Sequence, residues 1–319
     1  MNDPHRTTGA AAAETTAAVL AALWETTKPG ITRLVSITAG VGFILAALTH
    51  AWDPVHLVLA SVGCILGTAM SAAGANALNQ WFEHDRDALM PRTHARPIPS
   101  GRLTPGVVLW AALALSAMGV ATLWVTVGPI PAAVSLATIL LYVLVYTPMK
   151  PLTVLSTLVG AIPGALPPVI GWTAAAGGSS VESILHPAPW TLFLIMFIWQ
   201  IPHFLAIAWM YRDDYAKGGY RMLPLLDPSG AVTVWTIFAW ALFLLPATLA
   251  PVLTIPAAVG LPYLLLATAM GTAFLVLTLR LILARDRAHA RVVFFASIIH
   301  LPLLFFALVG EALLRSLLT

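Results

Sequence analysis

Apolar residues run along the chain in nine long blocks, at approximately 31–49, 55–78, 105–125, 129–147, 153–174, 190–210, 232–250, 261–283 and 291–310. Each block approaches the ~20 residues that a helix needs to cross a ~30 Å hydrocarbon core. Barrel strands would be ~10 residues long and alternate in polarity; these blocks do neither. Gly160-Ala161-Ile162-Pro163-Gly164 and Pro167-Pro168 interrupt the fifth block. Such breaks are tolerated in a bilayer where neighbouring helices satisfy the freed backbone groups. The pattern predicts an all-α polytopic membrane protein with nine spans. Residues 1–28 form an N-terminal tail, Ala/Thr-rich and without fixed structure over the first ~17 residues, with a short amphipathic surface helix over 18–27. Glu14 and Arg6 argue against a signal peptide. Residues 29–312 make one transmembrane domain, and 313–319 a short C-terminal tail.

Composition agrees. Hydrophobic residues are 59% of the 319 and charged ones 9%, and the mean hydropathy is +0.89. A soluble domain carries about 25% charged residues, so a water-soluble fold is excluded. Sixteen Lys and Arg against 13 Asp and Glu leave a net charge of +3, too mild to suggest nucleic acid. Cys64 is the one cysteine, so neither an intrachain disulfide nor a cysteine metal site can form. The basic residues test the span count. Under nine spans every Lys and Arg except Arg315 falls on one side of the membrane, from Arg6, Lys28 and Arg33 through to Arg280, Arg285, Arg287 and Arg291. The positive-inside rule makes that side cytoplasmic, with the N-terminus there and the C-terminus outside.

Charges are scarce enough that clusters stand out. Glu83, Asp85 and Asp87 crowd the end of the second span; Asp213 and Asp214 crowd the end of the sixth, with Asp227 further on. Asn79, Glu83 and Asp87 are spaced i, i+4, i+8, one stripe of a continuous helix with ~6 Å of rise per step. A stripe of carbonyl and carboxylate oxygens suits Mg²⁺ rather than zinc or copper. Carboxylates beside hydrocarbon are costly unless used. Arg92, Arg96, Lys150, Arg212 and Lys217 stand on the same side. Acids and cations together are what a magnesium diphosphate needs, oxygens for the metal and cations for the phosphates; they also serve to signal topology. His203 lies within the sixth span and shares a helical face with Asp214 through Ile207 and Met210, ~16 Å deeper. A haem contact, a proton carrier and a packed core histidine are all open to it. His300 reads as a core histidine, and His50, His56 and His186 as loop residues of the outer side. Trp81, Phe82, Tyr146 and Tyr211 flank the charged sites, where a π face would steady a cation by about 0.5–2 kcal/mol. A transporter is the competing class, but transporters gather ionisable groups near the midplane. A non-catalytic haem-binding subunit would leave the acid stripe unexplained.

Several stretches resemble the UbiA superfamily of intramembrane prenyltransferases. They are Asn79-Gln80-Trp81-Phe82-Glu83, Met90-Pro91-Arg92-Thr93-His94-Ala95-Arg96-Pro97, Tyr146-Thr147-Pro148-Met149-Lys150, and Gly160 to Pro168. Trp199-Gln200-Ile201-Pro202-His203-Phe204 continues to Tyr211-Arg212-Asp213-Asp214-Tyr215 and Met222-Leu223-Pro224. The Trp-Gln-Ile-Pro-His-Phe and Arg-Thr-x-x-Arg-Pro stretches are similar to the haem-modifying branch of that superfamily. The resemblance implies nine helices around a central cavity that opens to the bilayer and is capped on the cytoplasmic side. It implies farnesyl diphosphate and haem B as substrates, Mg²⁺ as cofactor, and haem O and diphosphate as products. Asn79, Glu83, Asp87 and Asp214 become the catalytic, metal-holding residues, with Asp213 a further candidate. Met210 stands where the superfamily places a second acid. Arg92, Arg96, Lys150, Arg212 and Lys217 become diphosphate ligands and His203 a haem contact. A bacterial cytoplasmic membrane is implied, with haem A synthase or terminal-oxidase assembly factors as candidate protein partners. A quinone or other aromatic acceptor is the alternative substrate within the superfamily.

Overall fold

The structure, a computed structural model, describes residues 4–318, with side chains described from residue 15. Among the described residues there is no strand. Nine helices are long and apolar enough to cross a membrane: Pro29–Ala47, Pro54–Asp87, Pro105–Val127, Pro129–Met149, Ser156–Ala175, Pro187–Met210, Ala231–Thr254, Leu261–Ala284 and Arg287–Leu318, called spans 1 to 9. The protein is an integral, multi-pass membrane protein. Proline opens spans 1 to 4 and span 6. A proline at the first helical position has no N–H to leave unsatisfied and a φ already suited to a helix. Asp53 and Thr104 cap spans 2 and 3 by accepting bonds from Val55 N and Val107 N.

Spans 5 and 6 are the most buried, and the others surround them. Water does not drive helices together inside a bilayer, so small residues that admit close backbone approach must do it. Span 1 lies so close to span 5 that a Cβ on Gly171 would sit 1.7 Å from the Ala39 carbonyl oxygen. Spans 2 and 3 meet in the same way, Gly119 against the Ser71 backbone. Span 5 breaks at Leu166 into Ser156–Ala165 and Pro167–Ala175. On its first half Gly160 and Gly164 leave room for the Tyr146 ring and the Gln200 amide, which give the Gly-Ala-Ile-Pro-Gly stretch a packing role. Span 4 widens to a π-helical turn over Leu141–Tyr146. Pro148 follows and has no N–H to offer the preceding turn; Thr147 donates both its backbone N–H and, at 2.8 Å, its Oγ1 to Tyr142 O.

Three boundaries differ from the hydrophobic pattern. Span 2 does not end near residue 78 but continues unbroken to Asp87. Its 34 residues make a rod of about 51 Å, so its polar end overshoots the ~30 Å core. The N-terminal helix covers Pro4–Thr26 rather than 18–27 alone, as its alanine run, the strongest helix-forming residue, favours. Span 9 continues to Leu318, through the expected tail, with Arg315 Nε bound to Glu311 Oε1 at 2.9 Å one turn back. The N-terminal helix is tied down at its end: Glu25 pairs with Arg102 at 2.7 Å, and Gln80 Nε2 donates to Thr26 O at 3.0 Å.

Candidate active site

Antiparallel packing brings the start of span 1 and the ends of spans 2, 4 and 6 to one end of the bundle. The continuous helix of span 2 carries Asn79, Glu83 and Asp87 there on one face, each at most 5% exposed. A basic side chain meets each of the three. Lys28 Nζ donates to Asn79 Oδ1 at 2.7 Å. Lys150 Nζ stands 2.8 Å from Glu83 Oε1. Arg96 donates to Asp87 Oδ2 at 2.6 Å. Asn79 Nδ2 donates to Thr147 Oγ1 at 3.0 Å, which fixes the amide's orientation. Asp87 Oδ1 is buried and, among the described residues, meets no hydrogen-bond donor.

In the sequence Lys28 marks only the topology. It caps span 1 with φ 48° and ψ 68°, a left-handed conformation that costs a non-glycine residue about 1–3 kcal/mol. That turn places its amine against the stripe. Burial, then the charges of Arg96 and Lys150, lower its pKa to about 7. Burial also opposes a charge on Lys150, but Glu83 and the phenols of Tyr146, Tyr142 and Tyr220 outweigh it and hold that amine well above the usual lysine value. Lys150 Nζ lies 4.7 Å from the Tyr146 ring centre and 5.9 Å from that of Tyr220. Tyr220 is a second residue the sequence did not offer; burial and the Glu83 charge push its phenol upward.

The segment after span 6 folds onto the tip of span 2. Arg86 donates to Gly218 O at 2.9 Å. The Arg92 guanidinium lies 5.4 Å from the Tyr211 ring and 5.6 Å from the Tyr215 ring. Arg221 N donates to Lys150 O at 2.9 Å. Both acid-bearing tips therefore share one rim. Asp214, half-buried, sits on the short helix Arg212–Lys217. Asp213 and Arg212 face solvent, 3.8 Å apart, and Lys217 is exposed. Met210 is buried in the hydrophobic core, so nothing replaces the expected acid at that position. Among the described residues, no three His, Cys, Asp or Glu side chains converge closely enough to hold a metal by themselves. The donors on the rim are nevertheless all hard oxygens, and the orphaned Asp87 Oδ1 is the kind of group Mg²⁺ satisfies.

His203 does not share a face with Asp214. Span 6 ends at Met210, and Tyr211 leaves helical geometry before the next helix starts, so the i, i+11 relation is lost. Instead His203 Nδ1 bonds Ser297 Oγ at 2.7 Å. The ring stacks between Trp199 and Phe294 at 4.9 and 5.1 Å. Among the described residues no hydrogen bond engages its Nε2. His300 is buried beside Phe274, its Nε2 unpaired among those same residues. Asp227 caps span 7 by accepting from Thr233 N and Oγ1, apart from the rim. Of the four flanking aromatics, Tyr146 and Tyr211 hold cations. Trp81 packs against a core cluster, and Phe82 is exposed.

Known proteins share both sequence and fold with this chain. The sequence signature of the UbiA prenyltransferase family matches residues 34–308. A protein of Solibacter usitatus named protoheme IX farnesyltransferase is 42% identical over 88% of this chain and 95% of its own length. A solved digeranylgeranylglyceryl phosphate synthase superposes with a TM-score of 0.74 at 15% identity, over 92% of this chain and 98% of its own. A UbiA homologue from Archaeoglobus fulgidus, bound to GPP and Mg²⁺, gives 0.50 at 14% identity, over 88% of this chain and 99% of its own. The match over most of the chain and the shared helical fold settle the family: the chain belongs to the UbiA prenyltransferase family.

Proposed function

We propose that this enzyme transfers the farnesyl group of farnesyl diphosphate to a vinyl group of haem B, with addition of water, giving haem O and diphosphate. The observation that carries this reading is the pairing of buried oxygens with basic side chains along one rim, Asn79 with Lys28, Glu83 with Lys150, Asp87 with Arg96. The haem acceptor is supported by the name of the Solibacter relative. Mg²⁺, which accompanies GPP in the Archaeoglobus homologue, would supply the Lewis acidity that draws charge from the leaving diphosphate. Asn79, Glu83 and Asp87, with Asp214 from the facing segment and Asp213 as a further candidate, would hold it.

Lys150, Arg96 and Arg92 orient the phosphates, with Lys28 completing the set. Arg212 and Lys217, exposed on the surface, act on the approach of the anion. Preorganised charge of this kind commonly supplies the greater part of a rate enhancement. The C1–O bond of the donor breaks, and its electron pair leaves with diphosphate. The vinyl π pair forms the new C–C bond to C1. Water adds to the carbon left electron-deficient and loses a proton. His203, oriented through Nδ1 by Ser297, presents Nε2 to the haem. The rim faces the cytoplasm of a bacterial cell, in its cytoplasmic membrane, and haem A synthase or oxidase assembly factors receive the product. Mass spectrometry of haem extracted from cells expressing the chain tests the reading. Gain of a hydroxyethylfarnesyl group supports it; unchanged haem alongside prenylation of a quinone overturns it.

A further inference from the structure

Arg33 takes no part in the rim described above. It lies in the first turns of span 1, exposed, at the edge of a groove of about 700 Å³. The groove runs between the N-terminal helix and spans 1 to 3. Ala69, Ala73, Ala77, Ala111 and Ala112 form its walls, and Leu23 and Trp24 its upper edge. Alanines on facing helices leave a slot that no side chain fills, and its volume falls within the ~300–1,000 Å³ typical of small-molecule sites. Trp24 is 66% exposed, on a helix where an aromatic ring belongs at the headgroup level.

The charges around this groove do not cancel. Glu25 is taken by Arg102 at 2.7 Å. Lys28 points its amine to Asn79. Arg33 forms no ion pair with any described acid. A guanidinium beside hydrocarbon demands an anion, and its planar fork suits a phosphate. The end of the bundle that carries it also carries the basic loops, the side where anionic lipids concentrate.

We propose that this groove binds an anionic phospholipid, its phosphate on Arg33 and one acyl chain in the alanine slot. The purified full chain in detergent is offered equal phosphatidylglycerol and phosphatidylcholine of the same acyl composition, and retained lipid is read by native mass spectrometry. Wild type retains the anionic lipid preferentially. Arg33→Gln loses about tenfold of that preference, the effect expected of one charge-assisted bond. Ala111→Phe, which fills the slot, lowers retention of both lipids. Equal retention of the two lipids by wild type, or an unchanged preference in Arg33→Gln, overturns the proposal. Displacement of the lipid by farnesyl diphosphate also overturns it, since the groove would then belong to the prenyl donor.

Discussion

Lys28→Met removes one amine and keeps most of the apolar stem. In wild type that amine has its pKa lowered to about 7 by burial and by Arg96 and Lys150. At pH 8 only about one Lys28 in eleven is then protonated. A phosphate oxyanion placed ~4 Å away at an effective dielectric of 20 stabilises the ammonium by about 4 kcal/mol, roughly three pKa units. Substrate bound in that position would keep Lys28 charged to about pH 10. The sign follows by linkage: the complex holds more protons than the free enzyme between these two values, so affinity falls as pH rises through that window and is level below about 7. The assay is calorimetric titration with Mg²⁺ and an unreactive thio analogue of farnesyl diphosphate, at pH 8, in buffers of different ionisation enthalpy. Wild type takes up about 0.9 proton per ligand beyond the uptake of Lys28→Met. Equal uptake by the two proteins would refute the reasoning, as would a wild-type affinity that does not change from pH 7 to pH 9.

Other substitutions probe the rest of the site. Asp87→Asn keeps a hydrogen-bond acceptor for Arg96 but removes the charge, and is expected to lower haem O formation by ~10²-fold or more in membranes assayed with Mg²⁺; near-normal turnover would remove Asp87 from the metal site. Gly171→Ala drives a methyl group into the Ala39 carbonyl, 1.7 Å away, and should cost about 1–3 kcal/mol; an unchanged melting temperature in detergent would count against the close packing of spans 1 and 5. His203→Ala should weaken haem binding more than farnesyl diphosphate binding, both read by equilibrium titration. An equal loss of both would give the Ser297 contact a purely structural role.

The bilayer made much of this molecule legible. Long apolar blocks separated by one-sided basic loops leave few span counts, and nine satisfies both the hydropathy and the charge asymmetry. Asn79, Glu83 and Asp87 were legible because a helix fixes which residues share a face. Helical periodicity gives no guide where a backbone bend decides the outcome. Tyr211 leaves the helix, which no periodicity announces, and so Asp214 no longer follows the face that carries His203. Tyr220 reaches Glu83 only because a loop folds back across the rim. Lys28 did leave a signal. A lysine immediately before Pro29 sits at the positive end of a helix dipole, where a cation is unfavourable. A residue in such a place is held by something else, here Asn79 across 51 residues of sequence.

The ion pairs Glu83–Lys150 and Asp87–Arg96 explain how two buried carboxylates are stable on the rim. Removing one partner from a buried ion pair costs about 3–5 kcal/mol, so neither Glu83 nor Asp87 is stable there alone. Glu83 and Asp87 would hold Mg²⁺ in place of the ammonium and guanidinium, and Lys150 and Arg96 would then be free to hold the phosphates. The charge balance of that exchange is nearly closed. A diphosphate ester of about −3 arriving with one Mg²⁺ adds about −1 to the rim. Lys150 and Arg96 are already positive and cannot absorb it. Lys28, mostly neutral at pH 8 through burial and the charges of Arg96 and Lys150, would take up one proton and bring the sum to zero. A fully charged lysine in its place would repel Arg96 and Lys150 in the empty site, and a neutral residue would leave the leaving group under-compensated. With its lowered pKa Lys28 would meet both requirements, since at pH 8 most of its charge would appear on diphosphate binding.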